Sequence, residues 1–555
     1  MLEINHIVVI SGSVGEGKTF LAKRLVHDKR LEGYKFKEIE SCSEWKHRIC
    51  RKEKQVILLD DIFTKTFCCG KREHDAKRLF CTIQSFLDED EDPDTFIILT
   101  ARPDVLQPLR RQMSIGIHHD RNFIVSLKDK LSFQEKMQMY CRHKERSGDK
   151  RQNETLEKTI CSCDCPCFPI CVKLYFQKES YRRKGLEFFE NPIQIIQEDI
   201  DQLYQDDREV FEYLTLLCLH NGEMDESMDV DKELSYIFEH FDCLKKQKVG
   251  QMQSTIDRMS SVYIKQENTK VKFQHKSIFQ AVCMSFSNIL PGKSLLYLPF
   301  EFICNWARIK PPTESVPTEE EYLNLRKGCF SFLVKRFFIE IENNNIQYVC
   351  RHQAFSSDPF LSVFLTELGN LKGTEFDRYL RILQSTERDR SICGSLWNGC
   401  FLYWTAVLSD KKVCSRILRN QFYDSMKDVD PFFVSTQASA TLVKGAWRRF
   451  DIDLMECLIN LGGNVNSSIH LNRRKQVYNC DYCTTQDPKG ITVLQASVFG
   501  DEEVNCKVVT LLLQNGARFR EDESPYRPLI RAIRKKYNEL FDLLLKSKCD
   551  LNAKD

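Results

Sequence analysis

Three unbroken apolar runs punctuate the N-terminal part of the chain: Ile7-Val8-Val9-Ile10, Val56-Ile57-Leu58-Leu59 and Phe96-Ile97-Ile98-Leu99. None alternates with polar residues, so each predicts a strand with both faces covered, the condition of a parallel sheet flanked by helices. After the first run, Phe20, Leu21, Leu25 and Val26 recur at helical spacing. Farther along, Asn191-Pro192 pairs an N-cap residue with a proline at the first helical position, and Ile193, Ile196, Ile200 and Leu203 then share one packing face. A second apolar helix is predicted around residues 210–219. Beyond it, Tyr263-Ile264-Lys265 and Val271-Lys272-Phe273 read as a hairpin joined through Glu267-Asn268-Thr269.

From residue 393 onward the pattern changes to pairs of short apolar helices with recurring loop ends. The stretch 453–466, which carries Leu454, Leu458, Gly462 and Asn466, is echoed by 508–518 with Leu512 and Gly516, and by 540–552 with Leu544 and Asn552. The last two echoes lie about 32 residues apart, near the ankyrin period of about 33. The first interval is longer, about 54 residues, which an inserted loop at 468–489 explains. Thr492-Val493-Leu494-Gln495 and Arg527-Pro528-Leu529-Ile530 start the first helices of two units, and a weaker unit spans 397–419. These stretches resemble degenerate ankyrin repeats, whose stacked helices present a concave face to protein partners.

The chemistry sits at the ends of the apolar strands. Gly12-Ser13-Val14-Gly15-Glu16-Gly17-Lys18-Thr19 spells G-x-x-x-x-G-K-[ST] between the first strand and its helix. Glycines there let backbone N–H groups curl around a phosphate, and the helix that starts at Lys18 and continues through Phe20 adds the positive end of its dipole. Lys18 reaches the β- and γ-phosphates, and the Thr19 hydroxyl is a ligand for Mg²⁺. The second strand ends in Asp60-Asp61, on the same side of the sheet. Asp60 is the candidate Mg²⁺ partner, and Asp61 the group that orients or deprotonates a water. The third strand ends in Thr100-Ala101-Arg102-Pro103, where Arg102 is placed to sense a γ-phosphate.

Composition narrows the setting without changing this picture. Length, 555 residues, exceeds one core. Eighty-one basic against seventy-nine acidic side chains leave a net charge of +2, so no global field favours nucleic acid. No apolar run approaches a membrane span and no secretory signal opens the chain, so a cytoplasmic protein is expected. The 25 cysteines are then read as reduced thiols. In Cys161-Ser162-Cys163-Asp164-Cys165-Pro166-Cys167 the cysteines alternate singly, unlike the paired spacing of structural zinc sites.

ISGSVGEGKT, VILLDDIF, FIILTARP and the run Leu131-Ser132-Phe133-Gln134-Glu135-Lys136 together resemble the STAND NTPases, specifically the animal group called novel STAND NTPase type 3, over roughly residues 1–290. The resemblance implies a sheet in which the strand ending at Arg102 lies between the other two. It implies ATP or ADP with Mg²⁺, slow hydrolysis, and a nucleotide-dependent signalling switch of the sort used in innate immunity. Phe168-Pro169-Ile170-Cys171 resembles the family's G-x-P element, whose proline packs near the adenine; Cys167 replaces the usual glycine, and Pro169 also reads as an ordinary helix-starting proline. Residues 207–290 resemble a winged-helix domain, in which His275 matches a histidine that touches the β-phosphate of ADP. A helix-start histidine packed within its own domain is the other reading of His275.

The expected organisation is multidomain: an α/β P-loop NTPase core with a doubly wound parallel sheet (1–150), a helical segment (151–206), a winged-helix-like domain (207–290), a connecting region (291–392), and an α-solenoid of ankyrin-like repeats (393–555). The expected function is a slow ATPase switch that binds protein partners through the repeats and self-associates when ATP-bound. A P-loop kinase or other phosphotransferase, and a nucleotide-binding scaffold without turnover, are the alternatives. The chain starts almost on its first strand and stops at Asn552-Ala553-Lys554-Asp555, where another repeat would begin, so it reads as either a fragment or a minimal switch.

Overall fold

The first unit begins β1 (Ile7–Ser11), α1 (Lys18–Leu31), β2 (Lys35–Glu38), β3 (Gln55–Leu59), β4 (Thr95–Ala101) and β5 (Ile124–Ser126). These strands form one parallel sheet in the order β2-β3-β4-β1-β5. β4, which leads to Arg102, lies between β1 and β3: Ile97 pairs with Ile7 on one side and with Ile57 on the other. The computed structural model describes residues 6–12, 17–39, 49, 53–60, 83, 94–101, 124–127, 131–151, 153–165, 168–225, 228, 256, 258–259, 262–267, 269–309, 322–388, 398–409, 411–420, 422–447, 450–469, 491–499, 506–518 and 528–546.

The pleat divides each buried strand into two faces. Val8, Ile10, Val56, Leu58, Phe96 and Ile98 pack on one side against Ala22 and Val26 of α1. Val9, Ile57, Leu59, Ile97 and Leu99 are equally buried on the other face. Removing each such side chain from water stabilises the fold by about 1.5–3 kcal/mol. The far end of α1 is pinned by Lys29, whose ammonium lies 4.1 Å from the centre of the Phe96 ring and bonds Glu32 at 2.8 Å. This fixes the axis of α1, and with it the aim of its N-terminus at the strand ends.

A helical run follows: α2 (Phe133–Ser147), α3 (Glu154–Ser162), α4 (Phe168–Gln177), α5 (Glu179–Lys184), α6 (Leu186–Glu190), α7 (Pro192–Asp206) and α8 (Arg208–Leu219). α2 opens with a capping box in which Ser132 and Glu135 satisfy each other's backbone N–H groups. Next come β6 (Glu223–Asp225), β7 (Ile264–Glu267), β8 (Lys270–Phe273) and α9 (Lys276–Ile289), the strands forming an antiparallel sheet in the order β6-β8-β7. Polar bonds fix this small sheet against α7. Asp199 accepts from Tyr181 at 2.8 Å, from Tyr263 at 2.6 Å and from Lys178, while Asp201 accepts from Ser285 of α9. Because α9 starts at His275, that anchoring sets where the histidine points.

The chain divides into two compact units, Met1–Ala307 with Pro312–Leu323, and Arg308–Pro311 with Asn324–Asp555, a division inside the predicted connecting region. In the second unit α10 (Phe330–Glu342), α11 (Ile346–Arg351), α12 (Asp358–Thr374) and α13 (Phe376–Gln384) bury a cluster of phenylalanines that includes Phe337, Phe355, Phe360 and Phe364. The remainder is helical too: α14 (Phe401–Leu408), α15 (Lys411–Arg419), α16 (Phe422–Val429), α17 (Pro431–Trp447), α18 (Ile452–Asn460), α19 (Val493–Phe499), α20 (Cys506–Gln514), α21 (Pro528–Lys535) and α22 (Asn538–Lys546). α19 packs on α20 and α21 on α22, and members also meet across the pairs, α19 with α21 and α20 with α22. After α18 and α20 the chain turns through Gly462 at φ 91° and Gly516 at φ 82°, conformations that need glycine. Asn466 then bridges the two turns, donating to the Gly516 carbonyl at 3.0 Å and accepting from the Arg518 N–H at 2.8 Å. Ser468–Ile469 and Ile491–Thr492 pair at the base of the inserted segment. Trp397, in the weaker unit at 397–419, lies outside the described residues.

Candidate functional site at the strand ends

The loop leaves β1 still tied to the sheet, since the Gly12 N–H donates to the Ala101 carbonyl at 3.2 Å. It re-enters at Gly17, which has φ 90° and is the N-cap of α1. Glycine carries no capping side chain, and α1 has no acidic residue in its first turn. A helix start of this kind, at the positive end of the helix dipole, is suited to an external anion. Lys18 is buried at this point, with 8% of its surface exposed. The Phe20 ring is 75% exposed, so what that residue lends to the site is its backbone. Ser13, Val14, Gly15 and Glu16 lie outside the described residues, as do Asp61 and Arg102.

Asp60, immediately after β3, is where the three strand ends converge. Its carboxylate accepts from the Thr19 hydroxyl at 2.9 and 3.1 Å and from the Thr100 hydroxyl at 2.7 Å. Thr100, at the end of β4, was not singled out by the motif reading; a hydroxyl closing an otherwise apolar strand beside Arg102 is the signal that marks it. The parallel register sets Thr100 beside the acid and α1 brings Thr19 to it, so the carboxylate is held by two elements at once. Hydroxyl and carboxylate oxygens at this spacing are hard donors suited to Mg²⁺, which relies on few protein ligands when phosphates supply others. Among the described residues no group of three or more His, Cys, Asp or Glu side chains gathers into a metal site.

Pro169 stands in the first turn of α4, beside the loop: a Cβ at Gly17 would lie 3.8 Å from Pro169 Cγ. The preceding Phe168 is buried, with the Lys136 ammonium 5.3 Å from its ring centre and Phe189 at 5.6 Å. Lys136 in turn donates to the Cys163 carbonyl at 2.6 Å. This packing holds α4 in place. It also explains the nearby cysteines, since burial pushes the Cys161 thiol up to about 12 and the Cys163 thiol up to about 11, and thiols so shifted stay protonated at neutral pH.

His275 is the N-cap of α9 and partly buried. Its Nδ1 accepts from the Ser277 backbone N–H at 3.1 Å and lies 3.1 Å from the Ser277 hydroxyl. An Nδ1 that accepts a backbone N–H carries no proton, so the neutral ring bears its proton on Nε2 and presents it as a donor. Burial lowers the His275 pKa to about 4, reinforced by the charges of Lys276, Lys18, Lys173 and Lys265. Lys18 belongs to the phosphate loop, so the structure brings His275 into the electrostatic field of that loop. Lys23 of α1 likewise acts on Glu267 of the hairpin.

A parallel sheet with a glycine-ended anion loop and an acid at the neighbouring strand end defines a P-loop NTPase core. Residues 1–146 match the family described as novel STAND NTPase 3, and this segment of the chain belongs to that family. Among solved structures, the Aeropyrum pernix ORC2 protein in its ADPNP–ADP complexes is similar at 11% identity, covering 51% of this chain and 88% of that chain with a TM-score of 0.22. No curated protein matches the chain. Among the described residues no helix is long and apolar enough to cross a membrane.

The depressed His275 pKa makes a pH prediction. Between about pH 6.5 and pH 4 the unfolded ring binds a proton that the folded ring refuses, so stability is full above that window and is lost as pH falls through it. His275→Asn keeps a capping side chain but does not titrate. Urea midpoints of the nucleotide-free protein across this range should fall less steeply for His275→Asn than for the wild type; parallel slopes would show that the ring is not held neutral.

Proposed function

We propose that this protein is a nucleotide-operated switch in which the P-loop core holds ATP or ADP and the winged-helix-like element at 207–290 closes over it through His275. The observation that carries this reading is the neutral His275 ring, its Nε2 proton set by the Ser277 bond and its environment shared with Lys18. A donor outside the core that faces the phosphates can distinguish nucleotide states, and only a state-specific contact shifts a conformational equilibrium. Lys18 and the N–H groups of α1 hold the β- and γ-phosphates. Thr19 and Asp60 would hold Mg²⁺, which neutralises developing charge on the phosphoryl oxygens. Asp61 orients or deprotonates the attacking water, Arg102 senses the γ-phosphate, and Pro169 supports the nucleotide from α4.

In this reading hydrolysis is slow and acts as a timer. The helix pairs of the second unit are ankyrin-like repeats that recognise a protein partner, and partner binding favours nucleotide exchange and self-association of the ATP-bound form. The Asn466 bridge between successive turns supports a repeat stack, because it joins the loop ends of neighbouring units.

Two measurements test the parts separately. Lys18→Ala should abolish nucleotide retention, while Asp61→Asn should leave ATP bound and slow its hydrolysis by about tenfold or more. Equilibrium binding and single-turnover hydrolysis check these, and unimpaired binding by Lys18→Ala would remove the loop assignment. His275→Ala removes a charged-group hydrogen bond worth about 1.5–3 kcal/mol, so ADP should leave about tenfold to a hundredfold faster. An unchanged off-rate in a folded variant, followed by displacement of a fluorescent ADP, would leave His275 a packing residue.

A further inference from the structure

α4 is buried almost all round. Phe168, Cys171, Val172, Leu174, Tyr175 and Phe176 are each buried, and the residues left partly open are Pro169, Ile170, Lys173 and Gln177. Pro169, Lys173 and Gln177 follow one another at intervals of one turn and so form a single stripe along the helix. The first member of that stripe meets the phosphate loop at Gly17. Lys173 is therefore the next side chain along from the loop, on the only face of α4 that packing leaves open.

Among the described residues its surroundings are those of a cation that lacks a counter-ion. Among the described residues Lys173 makes no hydrogen bond and no ion pair, although it is half buried. The charges that act on it or feel it are cationic or neutral: Lys265 of β7, His275 at the start of α9, and His143 of α2. Burial and Lys265 both lower its own pKa, which is the response of an ammonium without an anion beside it. Lys18, Lys265 and Lys276 also act on the same His275 ring. One turn farther along the stripe, Gln177 Oε1 is buried without a hydrogen-bond partner. A half-buried unpaired charge is unfavourable in a resting protein and is kept where a ligand completes it.

We propose that Lys173 is a phosphate ligand of the nucleotide site, carried on the stripe of α4 that abuts Gly17, and that the anionic tail of a nucleoside di- or triphosphate is the counter-ion it otherwise lacks. The proposal rests on the reading of the loop as a nucleotide site and adds a cation to it from outside the strand–loop–helix unit. Lys18 and Lys173 then grip the phosphates from opposite elements, so nucleotide occupancy fixes α4 to the loop. α4 becomes the route by which the helical segment registers whether the site is filled.

The test uses the full chain with Lys173→Met, Lys173→Arg and Lys18→Ala, titrated with ADP and with ATP in the presence of Mg²⁺ by calorimetry. Lys173→Met should weaken ADP by about tenfold or more, and Lys173→Arg should recover most of the loss. In the nucleotide-free state Lys173→Met should melt at the wild-type temperature or above it, because the variant loses an unpaired buried charge. Weaker binding joined to undiminished stability separates a ligand from a structural lysine. Wild-type affinity in Lys173→Met, with binding lost in Lys18→Ala, would overturn the proposal and leave the nucleotide site standing; retained binding in Lys18→Ala would overturn both. A measurement needing no variant is amine labelling of the wild type read by mass spectrometry. ADP should protect Lys173 and adenosine should not, and equal labelling with and without ADP would overturn the proposal.

Discussion

The bonds from Thr19 and Thr100 to the Asp60 carboxylate are the constraint on which the site depends. They join the first turn of α1, the end of β4 and the residue after β3, three elements that meet only because β4 is inserted between β1 and β3. An order that moved β4 elsewhere would take Thr100 out of its place between the acid and the loop threonine. The apolar runs that drive the sheet to form are thus also what deliver polar groups to one edge, since each strand can bury its length only by ending its polar residues at the same rim. In the proposed reading Asp60 is already placed for a cation that Thr19 shares.

Around that rim the charges are unbalanced in one direction. Lys18, Lys173, Lys265 and Lys276 act on a histidine kept neutral by burial, and Glu267 offsets Lys265 directly at the hairpin. The ring tautomer, the start of α1 without a capping side chain, and the ammonium of Lys173, which has no partner among the described residues, each carry donors. Such an arrangement is preorganised for a polyanion, because the cost of gathering the donors is met in folding rather than in binding. The elements that supply them differ: α1 belongs to the sheet core, α4 to the helical run, and His275 to the small antiparallel sheet that Asp199 and Asp201 anchor to α7. In the proposed switch their convergence makes occupancy of the site a property of the whole first unit.

Much of this was legible in the sequence. The three apolar runs are β1, β3 and β4, the hairpin at 263–273 is β7 with β8, and the glycine-bounded loop stands where its spelling placed it. β2 was not legible, because Lys-Phe-Lys-Glu at 35–38 is a half-exposed edge strand whose charges suit an edge and hide its identity. The helices between 330 and 384 went unassigned although Phe330, Leu333, Val334, Phe337, Phe338 and Ile341 of α10 keep helical spacing; without a repeat or a motif nothing tied them to a fold. Thr100 and Lys173 show the other limit. Each is an ordinary residue on its own element, and only strand order or helix packing, which couple positions far apart in sequence, gives it neighbours that matter. His275 is open between two readings in the sequence; the structure makes it the N-cap of α9 and puts its ring in the field of Lys18.

The most direct test of the switch is the nucleotide that the purified full-length protein already carries. Denaturing the protein and separating the released small molecules by ion-exchange chromatography should yield ADP in stoichiometric amount, because in the proposed switch donors from three elements close on its phosphates and slow its escape. A preparation that releases no nucleotide, and that also fails to bind added ADP or ATP with Mg²⁺ while its first unit remains folded, would contradict the account.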